Sequence, residues 1–200
     1  MTRAQCLKCQ RPLRACICAW VRPVDNRVEL LVLQHPLEQH HSKGTVRLLQ
    51  LSLHRCQVWV GEQFEPEHLA RLLAVPEVGG GTCLLYPPDA QADDAPALFA
   101  PAEAGGLLCT RLVLLDATWR KSRKMLHLNP LLRQLPRLSL SPTAPSRYAI
   151  RKAQLPGQLS TLEAAVMALQ QVEGPSPQLD ELLTGFEGFV AQQALKSAAC

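Results

Sequence analysis

Arg111-Leu-Val-Leu-Leu-Asp-Ala-Thr-Trp-Arg-Lys-Ser-Arg-Lys-Met-Leu126 runs from an apolar segment through an acid, a hydroxyl and an indole into a basic stretch. Leu112 to Leu115 reads as a buried strand that stops at Asp116, a residue type strands disfavour. From about Trp119 to Leu128 the pattern turns helical, and Pro130 is expected to end that helix. A strand running straight into a helix is the repeating unit of an α/β fold, in which ligands collect outside the carboxyl ends of the strands. Asp116-Ala117-Thr118-Trp119 occupies such an end.

Outward from this segment the same alternation recurs. Arg27 to Gln34 reads as a first core strand ending at His35-Pro36, where proline removes a ladder donor. Thr45 is expected to cap a helix through Val46, Leu48, Leu49 and Leu51; Gln57 to Val60 is a second strand closed by Gly61. Pro66 to Leu73 reads as a helix and Thr82 to Tyr86 as a strand stopped by Pro87-Pro88. Residues 89–110 are rich in Ala, Pro and Asp and form a connection. Arg137 to Leu140 is read as one more strand, followed by a loop at 141–145. Ser160-Thr161-Leu162-Glu163 is a capping box opening a helix to about Gln171, and a last amphipathic helix covers roughly Leu179 to Lys196. The fold class expected is therefore α/β.

With 47% hydrophobic residues in 200, one well-packed core is expected. No apolar run approaches the roughly 20 residues of a membrane span, and Met1 to Cys6 lacks a signal peptide's apolar core, so no membrane partner and a cytoplasmic location are expected. The net charge of +4 is unevenly spread. Between Arg111 and Lys152 stand ten basic side chains against Asp116 alone, while the rest of the chain holds eleven basic and sixteen acidic ones. That asymmetry suits a polyanion such as RNA, although a solvated surface gives the same composition.

Residues 1–27 lack periodicity and are rich in Cys, Arg and Pro, reading as a small module held by something other than a core. Cys6, Cys9, Cys16 and Cys18 place four thiols within thirteen residues. Four thiolates are what a closed tetrahedral zinc site requires, and zinc is preferred here over an iron–sulfur cluster or disulfides. Four protein ligands leave no open position, so such a site is structural. Lys8, Arg11, Arg14 and Arg22 would offset its negative charge. Cys56, Cys83 and Cys109 are read as small core residues, and Cys200 as a tail thiol.

Taken together, these segments resemble the DTW-domain family of tRNA-uridine aminocarboxypropyltransferases. The resemblance rests on the four cysteines, His35-Pro36-Leu37-Glu38, Thr45-x-Arg47-Leu48-Leu49, the signature Asp116-Ala117-Thr118-Trp119, and Lys124-Met125-Leu126. It continues through Leu135-Pro136-Arg137-Leu138, Ser146-x-Tyr148-x-Ile150-Arg151-Lys152 and Ser160-Thr161-Leu162-Glu163-Ala164. It implies a zinc-binding module at 1–27 and a SPOUT-like catalytic domain at 28–200 with a knotted C-terminal region. It further implies binding of S-adenosylmethionine, transfer of its 3-amino-3-carboxypropyl group to N3 of a tRNA uridine, and release of methylthioadenosine.

For that chemistry a sulfonium offers three electrophilic carbons, and the one held in line with the nucleophile sets the product. Uridine N3 carries a proton at neutral pH, which makes a base useful. Asp116 is the best-placed carboxylate; a structural role or a contact with the substrate ammonium are its alternatives. Thr118 either hydrogen-bonds the cofactor or caps the following helix, and Trp119 either stacks on adenine or uracil or belongs to the core. Leu115, His35 and Glu38, at strand ends, are expected to line the cofactor pocket. Ser160 and Thr161 open a helix whose amides suit the methionine carboxylate. Arg120, Arg123 and Lys124 can share a helix face as a phosphate-binding ridge, with Lys121, Arg151 and Lys152 as further RNA contacts. A SPOUT-type RNA methyltransferase and a non-catalytic zinc-containing RNA-binding module remain alternatives. The oligomeric state is left open.

Overall fold

A computed structural model describes residues 4–75, 80–87, 108–140 and 159–198. Five strands, β1 (Glu29–Gln34), β2 (Cys56–Val60), β3 (Gly80–Leu85), β4 (Leu108–Asp116) and β5 (Arg137–Leu138), form one parallel sheet in the order β2-β1-β4-β3-β5. The helices are α1 (Val46–Ser52), α2 (Pro66–Leu73), α3 (Trp119–Leu128), α4 (Pro130–Arg133), α5 (Thr161–Glu173) and α6 (Pro177–Ala198). The α/β class expected from the alternating pattern is thus present. A knotted C-terminal region is the further expectation, and residues 141–158 of that region lie outside the described residues.

Continuous apolar strands make sense only if both faces of the sheet are covered. Leu30, Val32, Leu112 and Leu114 point to one face, where they pack with Leu48 and Leu49 of α1, Leu162 and Val166 of α5, and Phe186 and Phe189 of α6. Their neighbours Leu31, Leu33 and Val113 point to the other face, against Leu69 of α2, Met125 and Leu126 of α3 and Leu132 of α4. The period of two along each strand therefore divides the core into two layers. Edge strand β2 is half-exposed by comparison.

The connections locate the ligand-binding end. After β1 the chain crosses one face through α1 to β2; after β4 it crosses the opposite face through α3 and α4 to β5, on the other side of the sheet. β1 and β4 are adjacent, with Gln34 beside Asp116, so their outgoing chains diverge at a topological switch point.

Several local features differ from the expectation. β4 begins at Leu108 and includes Asp116. Within β4 the half-buried Arg111 lies opposite Glu29, donating to the carboxylate at 2.7 Å and to the Leu72 carbonyl at 2.6 Å. Arg111 therefore belongs to the sheet and not to a basic surface, and Arg137 is likewise buried, with its guanidinium 5.3 Å over the Tyr86 ring. α3 ends at Leu128, ahead of Pro130 as expected, and Pro130 also opens α4, where a missing amide proton costs nothing. Asn129 ends α3: its side-chain amide donates to the Met125 carbonyl at 2.7 Å and the Glu62 carbonyl at 2.9 Å, and its oxygen accepts from Phe64. β5 stops at Leu138.

The cysteine-bearing segment shares the main core. Cys9, Ile17 and Val24 are buried in the cluster that contains α5 and α6. Arg47 of α1 donates to the carbonyls of Lys8 and Cys9, and Arg11 to those of Ser42 and Gly44, so two guanidiniums clamp the segment to α1 and its lead-in. On the other side Trp20 lies against Gly185 and Gly188 of α6 and donates its indole proton to Gln192 at 3.1 Å. Cys83 and Cys109 are buried and Cys56 is half-buried; Cys200 lies outside the described residues. No helix among the described residues is long and apolar enough to cross a membrane.

Candidate active site

Asp116 is 9% exposed at the end of β4. Gln34, its register neighbour on β1, donates to Oδ2 at 2.8 Å, and the Thr161 hydroxyl donates to Oδ1 at 2.6 Å. One carboxylate thus joins the ends of two central strands to the first residue of α5. Charge-assisted bonds of this kind are about twice as strong as neutral ones.

The N-terminus of α5 is fixed independently. Ser160 Oγ accepts from the Glu163 amide at 3.2 Å while the Glu163 carboxylate accepts from the Ser160 amide at 2.7 Å, the capping box read from the sequence. Thr45 departs from expectation: it makes no side-chain cap to α1, and its buried hydroxyl accepts instead from the Leu162 amide of α5 at 3.3 Å. The Leu162 and Glu163 amides are therefore engaged within the protein and are not directed at a ligand.

Beside this junction lies a cavity of about 500 Å³. Its walls come from Leu85 and Tyr86 at the end of β3, Leu114 and Leu115 of β4, Ala117 to Trp119 and Ser122, Leu138 to Leu140 after β5, and Leu159 to Thr161 with Ala164. Leu115, Thr118, Trp119, Ser160 and Thr161 of the expected cofactor residues are among them. His35 and Glu38 are not, and Asp116 stands behind Thr161. Thr118 lines the cavity and occupies the position before α3 but makes no side-chain cap bond; its carbonyl accepts from the Ser122 amide. Trp119 is 53% exposed and so is not a core residue; its ring meets that of Tyr86 edge-on, with centroids 5.7 Å apart and planes at 71°.

Sequence reading missed Tyr86, Ser122 and Gln34. Tyr86 follows β3 at a carboxyl end, and Gln34 is a polar residue closing an apolar strand, the same signal that singled out Asp116. Ser122 Oγ donates to the Trp119 carbonyl at 3.0 Å, so the contact of 3.1 Å between the two hydroxyls has Tyr86 as donor.

The basic helix divides into paired and open cations. Lys121 contacts Glu38 at 2.8 Å, and Lys124 contacts Glu62 at 2.9 Å while remaining largely exposed. Glu62 also faces His35 Nε2 at 3.1 Å. His35 Nδ1 accepts from the Leu37 amide, which puts the ring proton on Nε2 as donor to Glu62. Hydrogen bonding from Lys124, then from His35, holds the Glu62 carboxyl below its ordinary value. Arg120 and Arg123 are exposed, with no ion pair among the described residues. Arg151 and Lys152 lie outside the described residues.

The four cysteine sulfurs all lie within 4.8 Å of one another and could hold a metal ion. Cys6 and Cys18 are 3.7 Å apart, Cys9 and Cys16 3.8 Å. A tetrahedral centre with metal–sulfur bonds of about 2.3 Å has edges of roughly 3.8 Å, which these separations match. The backbone amides of Cys9 and Lys8 point at the Cys6 sulfur and hold its thiol down at about 6. Removal from water, then the neighbouring sulfurs, pushes Cys18 up to about 12.

Comparison with known proteins identifies relatives of this chain. The chain is 32% identical over 175 residues to "tRNA-uridine aminocarboxypropyltransferase 2" of Mus musculus, covering 86% of this chain and 57% of the relative. It is 34% identical over 190 residues to the protein of that name in Drosophila melanogaster, covering 90% of this chain and 71% of the relative. To "tRNA-uridine aminocarboxypropyltransferase A" of Arabidopsis thaliana it is 25% identical, covering 90% and 77%. The chain thus spans little more than half of the mouse protein. No solved structure matches it significantly. The DTW domain profile matches residues 3–194, from before the cysteine cluster into α6, and the chain belongs to the DTW-domain family.

Proposed function

We propose that this protein transfers the 3-amino-3-carboxypropyl group of S-adenosylmethionine to N3 of a uridine in tRNA. The observation that carries this reading is the cavity at the carboxyl ends of β3, β4 and β5, whose wall includes Ala117, Thr118, Trp119 and Thr161, with Asp116 bonded behind Thr161. Its mostly apolar lining with a few fixed hydroxyls suits a nucleoside-sized ligand. Leu115, Thr118, Ser160 and Thr161 would contact S-adenosylmethionine, joined by Leu138 and Leu140. The relatives' names supply aminocarboxypropyl transfer and a tRNA uridine as acceptor; the S-adenosylmethionine donor and the N3 position come from the family resemblance.

In this reaction the bond between sulfur and the aminocarboxypropyl carbon breaks, its electrons staying on sulfur to give methylthioadenosine. A nitrogen–carbon bond forms at N3 and the N3 proton leaves. Thr161 lines the cavity and already donates to Asp116, so its oxygen can accept the N3 proton as its own passes to the carboxylate. Asp116 is the proton acceptor in this scheme, acting through one hydroxyl. Arg120, Arg123 and Lys124, together with Lys121, Arg151 and Lys152, would bind the RNA backbone. A SPOUT-like domain with a knotted C-terminal region belongs to the same proposal.

The cysteine cluster is assigned to zinc. Four sulfurs with tetrahedral spacing fill its coordination sphere and leave no site for substrate, so the ion would fix the N-terminal segment and take no part in transfer. Iron in place of zinc in the purified protein would overturn that assignment.

Chromatography of the small-molecule product after incubation with tRNA and S-adenosylmethionine tests the reaction. Methylthioadenosine supports the transfer; S-adenosylhomocysteine would identify a methyltransferase instead. RNA binding with neither product would leave only a zinc-containing RNA-binding module.

A further inference from the structure

Trp119 is unusual among the cavity residues in that the site both fixes and exposes it. The residue is 53% exposed, yet its ring is held edge-on against Tyr86 with centroids 5.7 Å apart. Tyr86 is itself immobilised by its hydroxyl bond to Ser122 at 3.1 Å and by the Arg137 guanidinium 5.3 Å over its ring. Leaving about half of an indole in water is unfavourable unless something covers it, and holding it in one orientation lowers the entropy cost of covering it. Apolar burial for a second ring is already available inside the cavity, from Leu85, Leu114 and Leu138.

What lies next to the indole indicates what covers it. Arg120 adjoins it in sequence and Arg123 lies one helical turn further on, both exposed and without an ion pair among the described residues. An exposed aromatic face beside open guanidiniums matches a single-stranded nucleotide, which offers a π face and a phosphate a few ångströms apart. A base that undergoes chemistry at N3 must also leave its stack, because that edge is engaged in pairing within a helix.

We infer that Trp119 is the stacking platform for the extruded target pyrimidine of the RNA and not a contact for the adenine of S-adenosylmethionine. This inference rests on the proposed transfer reaction for its choice of base. Trp119 touches the substrate as a binding residue, and Tyr86 positions it.

The test compares wild type, Trp119→Phe and Trp119→Ala. S-adenosylmethionine affinity is measured by calorimetry, and tRNA turnover by methylthioadenosine release. Trp119→Ala is expected to lower kcat/KM for tRNA by about 5- to 150-fold, the range for one lost base–aromatic stack, with S-adenosylmethionine affinity unchanged and Trp119→Phe recovering most of the loss. A short uridine oligonucleotide should quench the part of the tryptophan fluorescence that Trp119→Phe removes. Weakened S-adenosylmethionine binding with normal tRNA kinetics would assign Trp119 to adenine and overturn the inference, as would absence of quenching. Quenching without methylthioadenosine release would refute the reaction and leave the platform standing. Release without quenching would do the reverse.

Discussion

Thr161 donates its hydroxyl proton to Asp116 across 2.6 Å, tying the first residue of α5 to the last of β4. The bond puts a carboxylate one hydroxyl away from the cavity. Thr161→Val should therefore cut turnover by roughly 10- to 150-fold, the loss of one hydrogen bond to a charged group, while Thr161→Ser retains most of it. Asp116→Asn should lose about 10²- to 10⁴-fold if the carboxylate takes the proton. Methylthioadenosine release measures both, and full turnover in Asp116→Asn would remove the residue from the mechanism.

RNA binding should divide the basic helix as the ion pairs do. Arg120→Ala and Arg123→Ala are each expected to weaken tRNA binding and to reduce the salt dependence of log K by about one. Lys121→Ala should do less, because its ammonium is already 2.8 Å from Glu38. Binding titrations over a range of salt concentrations provide the check.

Trp20 fills the space that Gly188 leaves on α6. A Cβ on Gly188 would lie 2.2 Å from the Trp20 ring, so Gly188→Ala should destabilise by about 1–3 kcal/mol despite alanine's better helix propensity. A thermal melt no lower than wild type would contradict the packing.

Chelation should loosen the N-terminal segment beyond the cysteines themselves, because Arg47 grips the carbonyls of Lys8 and Cys9. The expected result is a lower melting temperature on metal removal, restored by zinc. Since binding needs all four thiols ionised, metal should leave more readily as pH falls.

Glu62 supplies a pH dependence of known sign. Its carboxyl is held below the ordinary 4.5, so its stabilising contacts are fully present above that pH and are lost as pH falls through the depressed value. Glu62→Gln should thus melt below wild type at neutral pH, with the gap closing under acid. A gap independent of pH would show that the charge contributes nothing.

What the sequence made legible was largely local. Pro66, through its fixed φ, and the capping box, through bonds to near neighbours, define helix starts, and α2 and α3 match their expected spans. The cysteine cluster announced itself because its ligands lie close in the chain. Asp116 was visible as an acid closing an apolar strand, but Gln34 and Thr161 meet it only through parallel pairing and the packing of α5. Thr45 serves a helix 117 residues away, which no local pattern records. Trp119 was harder still, since indole composition does not distinguish a core residue from a half-exposed rim. The basic segment overstated its surface because Arg111 and Arg137 turn inward.

The central claim is most directly tested by nucleoside mass spectrometry of tRNA incubated with S-adenosylmethionine and either wild-type protein or Asp116→Asn. The account predicts uridine carrying the 3-amino-3-carboxypropyl group at N3 with wild type and almost none with the variant. Methylated uridine, or unmodified tRNA with wild type, would contradict it.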